Sequence, residues 1–392
     1  MHLLSEKLKK FTTDPNLLMV IFFAFFINGL MSTLLGTILP YMKAEYNISY
    51  ALSGMLLSAH QVGNLAACIV AGFLPYLLGR KKSTLFLSTG TLIGMLLMTV
   101  TGNPLLLVAA FAFVGIGRGS TSVTSNVVVS EITLNKTKSL NILHATFAVG
   151  ALLSPFLVIF LTGTLGITWR ITPWAIFLLA LIMLFVLGRS SLSDTPPSPN
   201  TSKGEKGFFY SFRFWLCTGI LFFYLCAEAT AIGWLVTYFK DSGIMSTTLA
   251  QSTSAILWVM ILIGRLLCAS FAGRINQSKL LIVMAVAMSA FYVLMISTRD
   301  IRIIFPALMG LGISMAGLYP TTLSCMDPRF VSSTAAMGTC VSTASFGAIT
   351  MPIIVGIIAE RTTIEGGMAA ISVALVVLVI LTVVNSVVSK PA

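Results

Sequence analysis

Long apolar runs, separated by short polar or charged segments, follow one another along the whole chain. A helix needs roughly 20 apolar residues to cross the hydrocarbon core of a bilayer. Twelve runs are about that long and predict an all-α membrane protein with twelve transmembrane helices. The predicted spans are 17–40, 51–79, 83–101, 104–130, 139–165, 169–188, 213–239, 246–272, 278–297, 301–326, 333–358 and 367–388.

One long polar interruption, rich in Pro, Ser, Asn and charge, separates the sixth and seventh runs. Such a composition cannot form an apolar core and is typical of a flexible tether. It predicts an N-terminal six-helix half (1–188), a cytoplasmic linker (189–212) and a C-terminal six-helix half (213–392). Transporters built from two related halves share this plan, with the substrate site near mid-membrane.

The composition excludes an ordinary water-soluble protein. Of the 392 residues, 57% are hydrophobic and only 9% are Asp, Glu, Lys or Arg. Soluble domains have about 25% charged residues. The net charge of +12 therefore indicates basic cytoplasmic loops rather than a nucleic-acid partner.

The distribution of basic residues predicts the orientation. With a cytoplasmic N-terminus, sixteen of the 24 Lys and Arg residues lie in inner segments, six lie in outer segments, and Arg118 and Arg265 lie inside spans. Cytoplasmic loops carry such an excess of Lys and Arg. We expect a multi-pass protein of the cell inner (plasma) membrane with both termini in the cytoplasm.

No motif indicates a cofactor, a metal site or catalysis. The six cysteines fall within apolar runs and form no CxxC pair, which disfavours a disulfide framework or a zinc site. No Walker motif occurs in the sequence, and Gly117-Arg-Gly119 lies in an apolar span rather than after a strand. We therefore expect no cofactor and no enzymatic activity, and transport energy would come from an ion gradient or the solute's own gradient.

The connection between the second and third runs, Gly72-Phe-Leu-Pro-Tyr-Leu-Leu-Gly79-Arg80-Lys81-Lys82, resembles the loop signature of the major facilitator superfamily. That resemblance implies a twelve-helix fold whose two halves rock about a central site. The signature normally has an acidic residue where this chain has Tyr76, so its cytoplasmic charge network must differ. The resemblance also implies a cytoplasmic gate, formed here by Gly79, Arg80, Lys81, Lys82 and Arg265.

Further segments resemble the fucose–galactose–glucose/proton symporters and related glucose transporters. They are Gly115-Ile-Gly117-Arg-Gly119 with Asn126, Leu140-Asn141-Ile-Leu-His144 through Pro155, Phe223-Tyr224-Leu-Cys-Ala-Glu228 with Trp234, Ile263-Gly264-Arg265, and Gly317-Leu-Tyr319-Pro320-Thr321. The resemblance implies sugar uptake. Proton-coupled members of that branch have acidic residues in spans 1 and 4, and these positions fall on Gly36 and Ser122 here. The coupling carboxylate must then lie elsewhere.

Glu228 is the carboxylate that lies inside a span, about 21–23 Å along its helix at 1.5 Å per residue. A charged group at mid-bilayer costs about 2.5–3.5 kcal/mol, so it needs a partner or a purpose. Glu228 could load and release a proton during transport. It could instead pair with Arg118 as a gate, or be a buried polar residue with no transport role.

Arg118 lies at a similar depth in the fourth span. Its five donors suit a carboxylate, a sulfonate or a phosphate. It could equally bond sugar hydroxyls, counter the charge of Glu228 or be structural. Arg265 lies near the cytoplasmic end of the eighth span, and snorkelling to the interface favours an anchoring role over a gating one.

Uncharged polar and aromatic residues complete the predicted substrate site, although such residues often only bond neighbouring helices. The predicted substrate-binding residues are Asn28, Arg118, Asn126, Asn141, Glu228, Trp234 and Tyr319.

The pattern as a whole predicts a monomeric secondary transporter that moves a small hydrophilic solute, such as a sugar or an organic anion, by proton symport through Glu228. Sodium coupling is disfavoured because no second carboxylate accompanies Glu228. The alternative is a proton-coupled drug or lipid exporter of the same fold.

Overall fold

The chain is almost entirely helical in the computed structural model, which describes residues 12–134, 136–194, 206–271, 275–327, 329–330 and 334–388. Twelve helical segments are long and apolar enough to cross a membrane. We number them spans 1 to 12: Pro15–Tyr46, Tyr50–Leu78, Arg80–Val100, Pro104–Ile132, Lys136–Val158 continued by the π-helix Ile159–Thr164, Ile171–Arg189, Phe212–Asp241, Thr247–Phe271, Gln277–Ile296, Ile301–Met315 with Leu318–Cys325, Thr334–Arg361, and Ile364–Ala369 with Ile371–Val388. The prediction of an all-α membrane protein with twelve transmembrane helices is confirmed.

Several helix starts have side-chain caps that follow directly from the sequence. The Asp14 carboxylate accepts the Leu17 N–H at 3.0 Å, with Pro15 as the first residue of span 1. The Asn103 side chain accepts from the N–H groups of Leu105 and Leu106 at the start of span 4. An acceptor at this position satisfies backbone donors that have no partner within the helix, and proline fits the first turn because its missing N–H is not needed there.

Two features of the helices differ from the apolar runs. Span 1 continues to Tyr46, whereas its apolar run ends at residue 40, because the polar segment that follows keeps the helical backbone. Spans 10 and 12 are each interrupted, after Met315 and after Ala369. The hydropathy of these two runs is continuous, so the apolar pattern alone does not reveal the interruptions.

The chain forms two compact units. The first unit consists of Met1–Tyr41 and Ala59–Asn200. Its core at one end of the helices is apolar and joins the start of span 1 to spans 4, 5 and 6, through Leu17, Leu18, Ile21, Phe25, Val128, Val129, Leu143, Leu187 and Leu192. Farther along, the Thr33 hydroxyl donates to the Ala151 carbonyl at 2.8 Å and so links span 1 to span 5.

The second unit consists of Met42–Ser58 and Thr201–Ala392. It therefore includes the end of span 1 and the start of span 2 together with spans 7 to 12. Large buried side chains, including Trp234, Tyr238 and Tyr292, fill its interior. The proposed division into halves at 189–212 stays a prediction, and linker residues 195–205 lie outside the described residues.

Candidate functional site

The predicted cytoplasmic gate residues of the connection between spans 2 and 3 are held within the first unit. Gly79 has a φ of +81° and caps span 3. An added Cβ there would collide with the Asp194 carbonyl, so both the backbone angle and the space require glycine. The Lys82 N–H donates to the Asp194 carboxylate at 3.1 Å, and the Lys81 ammonium donates to the Ser190 carbonyl at 3.0 Å.

Arg80 is bound by an acidic residue of span 4. Its two terminal nitrogens donate to the two carboxylate oxygens of Glu131 at 2.5 and 3.0 Å. This bidentate geometry is the strongest that an arginine and a carboxylate form. Glu131 and Asp194 are therefore the acidic partners of the Gly79–Lys82 segment. Sequence reasoning missed them because they lie about 50 and 110 residues farther along the chain.

The start of span 1 joins the same network. The Thr12 hydroxyl donates to the Ile132 carbonyl at 2.8 Å, and the Ser191 hydroxyl donates to the Asp14 carboxylate. The Leu17 N–H and the Ser191 hydroxyl hold the pKa of Asp14 below its usual value. The starts of spans 1 and 3 and the ends of spans 4 and 6 are thus linked by polar contacts.

Asn28 and Arg118 lie together inside the first unit. The Asn28 amide N–H donates to the Arg118 backbone carbonyl at 3.1 Å, and Asn28 is 1% exposed. The positive charge of Arg118 also acts on the buried His60 ring of span 2. Within the described ranges, Asn28 Oδ1 and His60 Nε2 are buried and have no hydrogen-bond partner. An unsatisfied buried acceptor is costly, so these atoms mark a place where a donor from a solute or water would be stabilised.

Two other predicted residues of this unit are less informative. The Asn126 amide donates to the Ser122 carbonyl one turn earlier in span 4, at 2.8 Å. Such a bond to the residue's own helix is common for polar residues in helices. The side chain of Asn141 lies outside the described residues.

Glu228 is placed in a polar cluster of the second unit. The Tyr224 hydroxyl lies 2.6 Å from Glu228 Oε1 and 3.1 Å from the Met315 carbonyl oxygen. Met315 is the last residue of the first helix of span 10. Glu228 is partly buried, whereas Tyr224 is 2% exposed. A titratable carboxylate therefore lies beside the interruption of a spanning helix.

Two other predicted residues of this unit, Arg265 and Tyr319, interact electrostatically with the Tyr224 hydroxyl beside the interruption of span 10. Gly317, which begins the second helix of span 10, packs so closely that an added Cβ would collide with the Cys268 thiol. Irregular backbone at membrane depth is tolerated where protein buries it or where it lines a cavity.

Trp234 is fully buried in the second unit. Its ring centroid lies 6.2 Å from that of Tyr50, and its indole N–H has no hydrogen-bond partner in the part of the chain that the structure describes. The Tyr50 hydroxyl in turn donates to Asp241 at 3.0 Å. The Trp234 face is thus covered by protein in this conformation, and its contact with a solute stays a prediction.

The family is decided by a match that spans most of the chain. The sequence profile of the Major Facilitator Superfamily matches residues 21–335.

This chain belongs to the major facilitator superfamily.

The curated relative that it matches is the yeast (Saccharomyces cerevisiae) protein "Bypass of stop codon protein 6". The two are 22% identical over 281 residues, which cover 63% of this chain. The chain spans 55% of the length of that relative.

Solved transporters of this superfamily have the same fold. A variant of the nucleoside transporter NupG superposes with a TM-score of 0.78 at 15% identity, covering 94% of this chain and 99% of that one. A D-xylose-proton symporter gives a TM-score of 0.74 at 14% identity, covering 94% and 96%. A bacterial homologue of the human lysosomal transporter Spinster gives 0.73 at 13% identity, also covering 94% and 96%.

The family match and the twelve apolar spans are those of a multi-pass membrane protein. Superfamily members are generally transporters rather than enzymes. At such low identities the solved structures show the fold alone.

Proposed function

We propose that this superfamily member is a proton-coupled symporter of a small hydrophilic solute, a sugar or an organic anion. The observation that carries the proposal is the contact of Glu228 with Tyr224 beside the interruption of span 10. A carboxylate inside a span costs free energy, so such residues are rare and usually mark a path for a substrate, an ion or a proton. Glu228 can exchange a proton and change its charge, which suits a coupling site.

Arg118 and Asn28 are the proposed solute-binding residues of the first unit. The guanidinium offers donors for a carboxylate or for hydroxyl groups. The buried Asn28 Oδ1 offers an acceptor, which a sugar hydroxyl would satisfy and a fully ionised anion would not. We extend the proposed site to Asn126, Asn141, Trp234 and Tyr319, and the cytoplasmic gate to Gly79–Lys82 and Arg265.

The finer assignments rest on the sequence. The resemblance to the fucose–galactose–glucose/proton branch supports sugar uptake, and the D-xylose–proton symporter neighbour is compatible with it. The distribution of Lys and Arg supports cytoplasmic termini in the inner membrane. We further propose that the protein acts as a monomer, with its two halves divided at the linker.

Thermal stabilisation of the purified full chain tests the solute class. A ligand that binds the folded state raises the melting temperature in a concentration-dependent way. The panel contains neutral sugars, nucleosides, organic anions and cationic drugs. Arg118→Ala is compared with Arg302→Ala, which removes an exposed arginine at the start of span 10.

We expect stabilisation by one polar solute class that Arg118→Ala abolishes and Arg302→Ala retains. Stabilisation by an anion alone assigns Arg118 as its clamp, and stabilisation by a sugar assigns it to hydroxyl recognition. Selective stabilisation by cationic drugs contradicts the proposed substrate class and favours the exporter.

Proton coupling is tested in proteoliposomes that contain a pH-sensitive dye. The stabilising solute, added outside, should drive proton entry through the wild type. Glu228→Gln should still exchange solute without moving protons. Equal proton entry through the variant contradicts the role of Glu228.

A further inference from the structure

Two spanning helices of the second unit are interrupted, and at each interruption a buried tyrosine hydroxyl bonds to a backbone carbonyl. The Tyr224 hydroxyl of span 7 lies 3.1 Å from the Met315 carbonyl oxygen, where span 10 breaks. The Tyr292 hydroxyl of span 9 donates to the Met368 carbonyl at 2.9 Å, next to the break in span 12. Both tyrosines are almost completely buried. Each hydroxyl therefore bonds to a backbone carbonyl close to a break, where the regular hydrogen bonding of the helix ends.

The two tyrosines differ in one respect. Tyr224 also contacts the Glu228 carboxyl group at 2.6 Å. Within the described ranges, the hydrogen-bond partner of Tyr292 is the Met368 carbonyl. Tyr292 is therefore a matched reference for Tyr224 without the carboxylate.

A phenol has one proton, so Tyr224 can donate to one acceptor at a time. When Glu228 is ionised, the charge-assisted bond is the stronger, and 2.6 Å is the usual length for such a bond. The Met315 carbonyl then loses the Tyr224 donor. When Glu228 is protonated, its own O–H can donate to the Tyr224 oxygen, and the Tyr224 proton is free for Met315. No covalent bond changes apart from the protonation of the carboxylate by a proton from water.

We propose that Tyr224 is a positioning residue that transmits the protonation state of Glu228 to the break in span 10. When Glu228 is protonated, the bond from Tyr224 to the Met315 carbonyl would stabilise span 10 at the break. When Glu228 releases its proton, loss of that bond would make the break more mobile. This inference rests on the proton coupling proposed above and adds the element that responds to it.

Other groups on the packed elements bear on this cluster. Arg265 of span 8 and Tyr319 of span 10 act electrostatically on the Tyr224 hydroxyl. The remaining titratable or charged groups on the described parts of spans 8, 10, 11 and 12 are Cys268, Arg302, Cys325, Cys340, Glu360, Arg361 and Glu365. Arg302, Glu360, Arg361 and Glu365 lie at the ends of their helices. The pH response is therefore assigned by comparing variants rather than from the wild type alone.

Hydrogen exchange of the purified full chain provides the test without a known solute. Protection of the amides from 313 to 321 is measured from about pH 5 to about pH 9, after correction for intrinsic exchange rates. We expect the wild type to be more protected at low pH, by roughly five- to tenfold, the effect of one net hydrogen bond. Tyr224→Phe should remove this pH dependence.

Two further variants make the result specific. Glu228→Gln carries a permanent N–H donor in place of the O–H of protonated glutamate, and should keep the break at its low-pH protection throughout. Tyr292→Phe should leave the pH dependence at 313–321 intact while lowering the protection around Met368. If Tyr224→Phe does not fold, Glu228→Gln carries the test, and a pH response in that variant overturns the inference.

Infrared difference spectroscopy separates this inference from the proposed function. The carboxylic-acid band that disappears in Glu228→Gln reports whether Glu228 titrates. Absence of titration overturns both proposals. Titration without a response at the break, or with an equal response in Tyr224→Phe, overturns the role of Tyr224 and leaves proton coupling standing.

Discussion

At the scale of single residues, Asp14 shows how one side chain sets the start of a spanning helix. Its carboxylate accepts the Leu17 N–H and a hydroxyl from Ser191, near the start of the linker. A capping acceptor is worth about 0.5–2 kcal/mol. Both bonds favour the ionised form and lower the pKa of Asp14 from 3.8. Its extra stabilisation is therefore present above the unfolded pKa and is lost as the pH falls through the folded one.

We expect Asp14→Ala to lower the free energy of unfolding by about 1 kcal/mol at neutral pH. The difference from wild type should shrink below about pH 4, as first the unfolded carboxylate and then, at lower pH, the native one becomes protonated. Asp14→Asn keeps an acceptor without the charge and should recover most of the loss. Melting temperatures across this pH range check the prediction, and a loss that is equally large at low pH contradicts it.

The residue scale also shows how far the sequence alone could identify the site. Arg118 and Glu228 were predicted because charge is rare inside spans. The contact of Tyr224 with Glu228 could also have been predicted, because residues four apart lie on one face of a helix. The Met315 carbonyl and the unsatisfied Asn28 and His60 atoms were not. They depend on which helices touch and at what height, which hydropathy does not encode.

At the scale of elements, the apolar runs were sufficient to predict all twelve spans because the bilayer fixes their length. The interruption of span 10 was missed because Met315, Ala316, Gly317 and Leu318 are all compatible with an apolar run. Pro320 lies four residues after Ala316; it lacks the N–H that would bond the Ala316 carbonyl, and its ring crowds that carbonyl. The packing around Gly317, where a side chain would meet the Cys268 thiol and the Met284 sulfur, is a tertiary feature that hydropathy does not encode.

We expect Gly317→Ala to destabilise the protein by about 1–3 kcal/mol, the usual cost of overpacking. Adding Cys268→Ala removes the sulfur that the new methyl group meets and should recover part of the loss. Gly338→Ala, in span 11, is the control, because nothing lies within 4 Å of an added Cβ there. Thermal unfolding of the three variants provides the measurement. A loss that Cys268→Ala does not reduce would point to backbone strain instead.

At the scale of the whole molecule, the order of the spans does not predict where the segment Met42–Ser58 packs. It joins spans 1 and 2 but packs within the second unit. The Lys43 ammonium lies 3.1 Å from the Asp241 carboxylate and 4.0 Å from the Tyr50 ring centroid. The Tyr50 hydroxyl also donates to Asp241. Glu360 of span 11 accepts the Tyr50 and Ala51 N–H groups at 2.7 and 3.3 Å.

If transport proceeds by relative movement of the two six-helix halves, these contacts of Met42–Ser58 with spans 7 and 11 must break in every cycle. Asp241→Asn removes the partner charge of Lys43, and Glu360→Gln weakens the cap of span 2. We expect each change to increase hydrogen exchange across 42–58 severalfold, and the double variant to do so more than either. Glu365→Gln is the matched control, because Glu365 forms an exposed pair with Arg299 at 3.9 Å, and such a pair contributes little to stability.

Exchange across 42–58 that stays at the wild-type level in the double variant would show that apolar packing alone holds the segment, as through Leu57 against Gly233. An increase confined to 42–58 would show that this polar cluster holds the segment within the second unit.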